Sequence, residues 1–356
     1  MFIQPEALRL RRLIRFSVCK RAKLLQRPEP QISNSYAAVK PVSFQRGIAF
    51  ALSAQILWGL FPIYLKLLRP TPAVDIVAYR IVWSFVLLIL LTWVGSQFRL
   101  TGWPRWGELA EQFRSSKTLG QLLAASVLIG VNWIGFVLAI SLDRTIDASI
   151  GYYICPQVVV LLGVLFKGER LSPMQWIAFA VTSMGVLVMA GSESGIPWLG
   201  LTVAFSFGFY ALTKKYIACQ ATTSLTFETG FLILPAVGFL LFGGGWFSTE
   251  SALEPETSWV SPFGLQLLLA FSGIATVLPL VLYVSSVKYL PLSLVGVLQF
   301  LGPTIQFGLS VFVFDEPLDW PRLAGILLIW GGVLFFLRGA RQANSANRLA
   351  DAQLSS

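Results

Sequence analysis

The segment IDASIGYYICPQVVVLLGVLFKGE, residues 146–169, decides the fold because the chain carries a second version of it. A shift of 147 residues places it on SLVGVLQFLGPTIQFGLSVFVFDE, residues 293–316. Pro156 then falls on Pro303, and in both segments a glutamate follows the proline after twelve intervening residues. Sequence symmetry of this kind predicts a chain made of two similar halves.

The composition of the whole chain predicts an integral membrane protein. Of its 356 residues, 55% are hydrophobic and only 12% are charged, whereas about a quarter of the residues are charged in an ordinary soluble domain. So few charges cannot cover the surface of a water-soluble protein. The composition therefore excludes a cytosolic enzyme, a nucleic-acid-binding protein and a disordered chain.

The residue inventory argues against most active sites. The chain has no histidine, which excludes an imidazole general base and a histidine-ligated metal. The three cysteines, Cys19, Cys155 and Cys219, are far apart in the sequence and are typical of free thiols. We therefore predict that the protein is not an enzyme and uses no cofactor and no metal.

Long apolar segments predict an all-α integral membrane fold with ten transmembrane helices. A helix needs about 20 mostly apolar residues to cross the hydrocarbon core of a bilayer. Ten segments meet this requirement: 47–66, 76–94, 119–140, 146–166, 173–190, 196–213, 223–242, 262–287, 290–313 and 321–337.

The repeat divides these ten segments into five and five. Because five is an odd number, the second half must insert upside down relative to the first. We therefore predict two inverted five-helix repeats, at 47–190 and 196–338, which is the architecture of many secondary transporters. A basic cytoplasmic extension, 1–46, precedes them, and a cytoplasmic tail, 339–356, follows.

The distribution of basic residues predicts the orientation. With the N-terminus in the cytoplasm, 22 of the 27 Lys and Arg residues fall in cytoplasmic segments, as the positive-inside rule requires. Both termini are then cytoplasmic, and the net charge of +10 needs no nucleic-acid partner. The basic segment 1–46 has two interpretations: a poorly ordered extension, or an amphipathic surface helix or transit peptide.

Two ionisable residues inside predicted spans are the first candidates for the functional site. Arg80 lies in the second span and Glu228 in the seventh. A charge at a span centre costs about 2.5–3.5 kcal/mol, so it usually faces a wet interior. We interpret the two as charges at opposite mouths of one pathway, with Glu228 as a candidate proton carrier. The alternatives are that Arg80 reaches the lipid headgroups and that Glu228 is a capped structural carboxylate.

The repeated prolines point to a binding site at the bilayer midplane. Each proline removes a backbone donor and frees the carbonyl four residues earlier, that of Tyr152 for Pro156 and that of Gln299 for Pro303. Broken helices at matching places in two halves mark transporter binding sites. The alternative is a plain kink that helps packing.

Further polar and aromatic residues extend the predicted site. Asn132 and Trp133 lie deep in the third span, where they either contact an aromatic or cationic solute or form interhelical contacts. Trp58 and Tyr210 add aromatic side chains. We expect the third, fourth, eighth and ninth spans to line the cavity.

Several motifs together resemble the RarD subfamily of the EamA-type drug/metabolite transporters, over residues 44–338. They include Tyr79-Arg80-Ile81-Val82-Trp83-Ser84, Ala148-Ser149-Ile150-Gly151-Tyr152-Tyr153-Ile154-Cys155-Pro156 and Gln299-Phe300-Leu301-Gly302-Pro303-Thr304. The chain departs from the family pattern at Tyr79, where histidine is frequent, and at Cys155, where asparagine is usual.

The resemblance implies ten helices in two inverted EamA repeats. It also implies secondary active export or exchange of small metabolites or drug-like solutes by alternating access, across the bacterial cytoplasmic membrane. The expected partners are a small-molecule solute, H+ or another coupling ion, and the lipid bilayer; a homodimer is an open alternative. Two other functions stay open, a membrane enzyme that acts on lipid and a passive channel, although absent histidine and an inverted repeat argue against them.

Overall fold

The computed structural model describes residues 41–69, 71–99, 103–142, 144–191, 197–243, 261–315, 317–318 and 320–354. The predicted extension 1–46 lies almost entirely outside this part of the chain. Within it, the regular elements are twelve α-helices: α1 Pro41–Leu67, α2 Ala73–Gln97, α3 Trp106–Gln112, α4 Ser116–Ser141, α5 Thr145–Lys167, α6 Pro173–Ala190, α7 Trp198–Tyr216, α8 Ala221–Phe242, α9 Pro262–Tyr289, α10 Leu292–Gln299, α11 Leu301–Phe312 and α12 Trp320–Leu354.

Nine of the ten predicted spans are confirmed, in the described residues, as helical segments long and apolar enough to cross a membrane. The sixth predicted span corresponds to α7, which is a helix of 19 residues but has a lower mean hydropathy than the other nine. Lys214 and Lys215 occupy its last turn and lower its apolar character. The helix α12 continues to Leu354, so the predicted tail begins inside a helix.

The two repeated prolines have different local structures. The helix α5 runs through Pro156 without interruption, so the expected break is not found there. The ninth span does divide, into α10 and α11, but the division is at Phe300, three residues before Pro303. The carbonyl of Pro156 lies against α10, because a Cβ added to Gly296 would be 2.7 Å from it. The helix α5 is therefore packed closely against α10 at Pro156.

Local sequence explains the turn between α5 and α6. Gly168 ends α5 with a φ of 64°, a left-handed conformation that glycine adopts readily. Ser172 then caps α6: its Oγ accepts a hydrogen bond from the Gln175 N–H, and the Gln175 side chain accepts one from the Ser172 N–H. This capping box and Pro173 at the first helical position define the N-terminus of α6.

Contacts between the two halves follow a two-fold pattern. We call α1–α6 the first half and α7–α12 the second. The first helix of each half packs mainly against the other half: α1 contacts α9 and α11, and α7 contacts α4 and α5. The pair α2–α9 likewise has its counterpart in α4–α8, while α2–α8, α5–α10 and α6–α12 are pairs of equivalent helices. The halves are thus interlocked, and their shared interface is the core.

Candidate functional site

A cavity of about 180 Å³ lies between the two halves; we call it the central cavity. Helices α1, α2, α4, α5, α7, α9 and α11, together with Gln299 at the end of α10, line it. The first, second and sixth spans thus line it as well as the four that were expected. Eight predicted site residues are brought together here: Trp58, Arg80, Asn132, Trp133, Tyr152, Pro156, Gln299 and Pro303.

Arg80 on α2 is held by groups from both halves. Its Nε donates a hydrogen bond to Thr276 Oγ1 on α9 at 2.9 Å. Its guanidinium carbon lies 4.9 Å from the ring centroid of Phe61 and 5.3 Å from that of Trp133. These contacts fix the plane of the guanidinium at the cavity wall and are cation–π interactions. None of the carboxylates in the described part of the chain forms an ion pair with Arg80.

Aromatic rings form the apolar part of the cavity wall. Trp58 packs edge-on against Phe207, with ring centroids 5.8 Å apart, and both contact Tyr283. On the other side Phe136 packs against Tyr152 at 5.9 Å. Such pairs are rigid and apolar, so they shape a space that favours an apolar or aromatic body.

Hydrogen bonds at two residues of the cavity lining, Asn132 and Pro303, also connect the halves. Asn132 Nδ2 on α4 donates to the Val203 carbonyl at 2.8 Å and to Ser206 Oγ at 3.3 Å, both on α7. Tyr153 Oη on α5 donates to the Pro303 carbonyl at 3.1 Å. Asn132 therefore makes the interhelical contact that was one of its two interpretations, and it also lines the cavity.

Glu228 and Tyr210 lie outside the cavity lining, in a buried polar group that we call the Lys214 cluster. Its members are Lys214, Tyr210, Ser224 and Glu228. Lys214 forms an ion pair with Glu228 Oε1 and also donates to Ser224 Oγ. Ser224 Oγ donates to Glu228 Oε1 at 2.7 Å, and Tyr210 Oη donates to Oε2 at 3.0 Å. Lys214 is 0% exposed and Glu228 1%.

Polar contacts also join the helix ends near the Lys214 cluster. The Glu169 carboxylate, just after α5, accepts hydrogen bonds from the N–H groups of Leu292 and Ser293 at 2.6 and 2.8 Å. It therefore caps the N-terminus of α10. Lys215 Nζ donates to the Val287 carbonyl at 2.7 Å, and Lys288 donates to the Cys219 carbonyl. The repeat partner of Glu169, Glu316, lies outside the described residues.

The described side chains offer binding groups rather than reactive ones. They contain no group of three or more His, Cys, Asp or Glu residues that could hold a metal ion. Cys155 and Cys219 are free thiols, as expected, and Cys19 lies outside the described residues. Burial raises the pKa of the Cys219 thiol between α7 and α8, so it stays protonated at neutral pH and is a poor nucleophile.

Comparison with a known protein family agrees with this geometry. The model of a family described as EamA-like transporters matches the chain twice, at residues 45–191 and at residues 194–338. The chain belongs to the EamA-like transporter family. The predicted resemblance is confirmed, and the family identifies a multi-pass membrane transporter rather than an enzyme.

Individual relatives in this family are similar over most of their length. The uncharacterized transporter YojE of Bacillus subtilis is 38% identical over 296 residues, which cover 82% of this chain and 93% of that protein. The protein RarD of Streptomyces exfoliatus is 36% identical, covering 84% and 91%, and RarD of Escherichia coli is 34% identical, covering 83% and 95%. One solved crystal structure shares the fold, with a TM-score of 0.60 at 17% identity, over 83% of this chain and 98% of that one.

Several members of this EamA-type site were not predicted. Lys214 was missed because the sixth span was ended at residue 213, one residue short of it. Thr276, Phe61 and Phe207 belong to apolar helices in which no single position stands out. For Phe61 a signal exists in the helical spacing on α1, where Trp58, Phe61, Pro62 and Leu65 form one face toward the cavity.

Proposed function

We propose that the chain is a secondary active transporter that exports or exchanges small metabolites or drug-like solutes by alternating access across the bacterial cytoplasmic membrane. The observation that carries this proposal is the central cavity, which is built from both halves and has Arg80 at its wall. A cavity at a repeat interface is the usual binding site of such transporters. Movement of one half against the other would change the side of the membrane from which a solute reaches the central cavity.

The two-fold pattern of helix contacts supports two inverted repeats of five helices. Each contact between the halves described above has a counterpart when equivalent helices are exchanged. An odd number of spans in each half makes such a pair antiparallel. The proposal therefore includes α7 as the sixth of ten spans. Lys214 is buried in an ion pair, and the half-buried Lys215 donates to backbone carbonyls.

The contact of Glu169 with the N-terminus of α10 supports a closed cytoplasmic face. With both termini in the cytoplasm, the ends joined by Glu169, Lys215 and Lys288 lie on the cytoplasmic side. Arg80 lies about two helical turns from Ala73, the end of α2 that faces the outside in this orientation. We propose that the Glu169 contact separates when the transporter faces inward, because it joins the end of α5 to α10 across the repeat interface. The contacts of Lys215 and Lys288 lie within the second half and would move with it.

Coupling to an ion gradient is a separate proposal. Glu228 was predicted to carry protons, and its two carboxylate oxygens accept hydrogen bonds from Lys214, Ser224 and Tyr210. Protonation of Glu228 would break the ion pair with Lys214, which is one way to link proton binding to movement of α7 against α8. A structural role alone predicts that the ion pair can be replaced without loss of coupling.

Transport in proteoliposomes tests the proposal. Vesicles with purified protein are loaded with a bacterial metabolite extract, a proton gradient is imposed, and released solutes are identified by mass spectrometry. We expect gradient-dependent, saturable release of a small set of solutes. Val77→Trp, which fills the cavity, is expected to reduce release at least tenfold.

The matched control is Val86→Trp on the same helix. The Val86 side chain is 44% exposed on the outside of the helix bundle and does not line the cavity. This variant is expected to transport like the unmodified protein. Release that needs no gradient and does not saturate would indicate a channel instead. Equal activity of Val77→Trp and Val86→Trp would rule out the central cavity as the route.

A further inference from the structure

We propose that the central cavity binds a small organic monoanion, whose carboxylate pairs with Arg80 and whose apolar body lies against the aromatic wall. This inference rests on the proposed transport function and names the chemical class of its substrate. From the sequence, Asn132 and Trp133 were expected to contact an aromatic or cationic solute or to form interhelical contacts, and this inference keeps the aromatic alternative but not the cationic one.

The charge of the cavity wall is the first reason. Arg80 is the sole Lys, Arg, Asp or Glu among the described residues that line the cavity. A buried charge without a counter-charge is costly in a low-dielectric environment. A bound anion would supply the missing counter-charge, whereas a cation would add repulsion at the same place.

The unused donors of Arg80 are the second reason. A guanidinium carries five N–H donors in a rigid fork. In the described part of the chain the Nε donor is taken by Thr276, and the donors on the two Nη atoms have no hydrogen-bond acceptor. That pair of nitrogens matches the two oxygens of a carboxylate, and bidentate pairing of this kind is among the strongest hydrogen bonds in proteins.

The fixed orientation of Arg80 adds specificity. The rings of Phe61 from α1 and Trp133 from α4 contact its guanidinium, and Thr276 from α9 accepts the hydrogen bond of its Nε. The side chain therefore loses little freedom when an anion binds, which strengthens binding. Because these contacts come from both halves, an anion on Arg80 would be sensitive to their relative position, as a transporter substrate must be.

The size of the cavity limits the rest of the solute. Its volume is about 180 Å³, and an apolar cavity of about 150 Å³ is large enough to bind benzene. One ring or a short branched chain therefore fits together with a carboxylate. A solute with several negative charges would leave the additional charges without a partner, because the cavity wall offers one cation.

Thermal unfolding of the purified protein in detergent tests this inference. The probes are benzoate and cyclohexanecarboxylate, compared with the neutral amides benzamide and cyclohexanecarboxamide and with the cation benzylamine. We expect both carboxylates to raise the unfolding midpoint in a saturable way, and the amides and the cation to act at least tenfold more weakly. Equal stabilisation by amides, or none by either carboxylate, would overturn the inference.

Variants identify the site of binding. Arg80→Gln should remove the effect of the carboxylates, and Arg80→Lys, which keeps the charge without the fork, should weaken it severalfold. The matched control is Lys66→Gln, because Lys66 is a cation whose Nζ lies 4.3 Å from the Phe314 ring centroid but outside the cavity lining. It should bind carboxylates like the unmodified protein. Carboxylate binding that survives Arg80→Gln would contradict the inference.

Failure of this inference can be distinguished from failure of the proposed function. If proteoliposomes release only neutral or cationic solutes, the protein is a transporter and the anion assignment is wrong. If carboxylates stabilise the protein through Arg80 but no solute crosses the membrane, the cavity is an anion site and the transport proposal is wrong.

Discussion

The central cavity and the Lys214 cluster place two intramembrane charges in opposite surroundings. Arg80 lies at the wall of an open space, with one hydrogen bond, two aromatic contacts and no ion pair in the described residues. Glu228 is buried with Lys214, Ser224 and Tyr210, and both of its carboxylate oxygens accept hydrogen bonds. The sequence alone makes both residues candidates for function. The comparison teaches that the partners of an intramembrane charge, rather than its presence, indicate its role.

Breaking the Lys214–Glu228 pair should produce the largest effect on stability. Lys214→Met or Glu228→Gln alone leaves a buried partner without its counterpart, which typically costs about 3–5 kcal/mol of unfolding free energy. The double variant should return to within about 1 kcal/mol of the unmodified protein, because neutral buried groups of similar size are well tolerated. Urea unfolding in detergent, followed by tryptophan fluorescence, measures all three variants.

The double variant also decides between the two interpretations of Glu228. If the pair is structural, the refolded double variant should retain gradient-driven transport. If Glu228 carries the coupling proton, the double variant should fold but lose the dependence on the gradient. If both single variants have the unfolding free energy of the unmodified protein, the ion pair between Lys214 and Glu228 does not stabilise this structure.

Loss of the Glu169 carboxylate should have an intermediate effect. Glu169→Gln keeps the size of the side chain but weakens the hydrogen bonds from the N–H groups of Leu292 and Ser293. Loss of a cap at a helix N-terminus costs about 1–2 kcal/mol. The neighbouring exposed Arg170→Gln is the control and should change stability by less than about 0.5 kcal/mol. Identical unfolding curves for the two variants would show that the cap does not stabilise this state.

Removal of Arg80 should have the smallest effect on stability, although it should have a large effect on anion binding. Arg80→Met removes one hydrogen bond and two cation–π contacts, but it also removes the cost of an unpaired, half-buried charge. These contributions oppose each other, so we expect a net change below about 1 kcal/mol in the same unfolding assay. A destabilisation as large as that of Lys214→Met would indicate that Arg80 has a structural partner.

The helices were predictable because each span is a continuous apolar segment of membrane length. The repeat likewise identified Pro156 and Pro303, and both line the cavity. The break at Phe300 was not predictable, because proline position indicates which hydrogen bond is lost but not where neighbouring helices support the backbone. The polar character of α7 was underestimated because Lys214 lies at its end, where lysine usually reaches toward the headgroups.

The contacts within the site were less predictable than its members. Arg80 was a clear candidate, but Thr276, Phe61 and Trp133 reach it from three other helices. Most spans are apolar on every side, so hydrophobic periodicity does not indicate which face meets another helix. Pairing of Glu228 with Lys214 depends likewise on the approach of α7 to α8, which the sequence does not specify.

Access of water-soluble reagents to residue 77 tests the central claim most directly, namely that an accessible, anion-binding cavity lies between the halves. Val77→Cys would be introduced together with Cys19→Ser, Cys155→Ser and Cys219→Ser, and treated with a membrane-impermeant anionic thiosulfonate. We predict rapid labelling that benzoate slows at least tenfold and benzamide does not, with no labelling of Val86→Cys in the same background. No labelling of Val77→Cys from either side of the membrane would contradict the account.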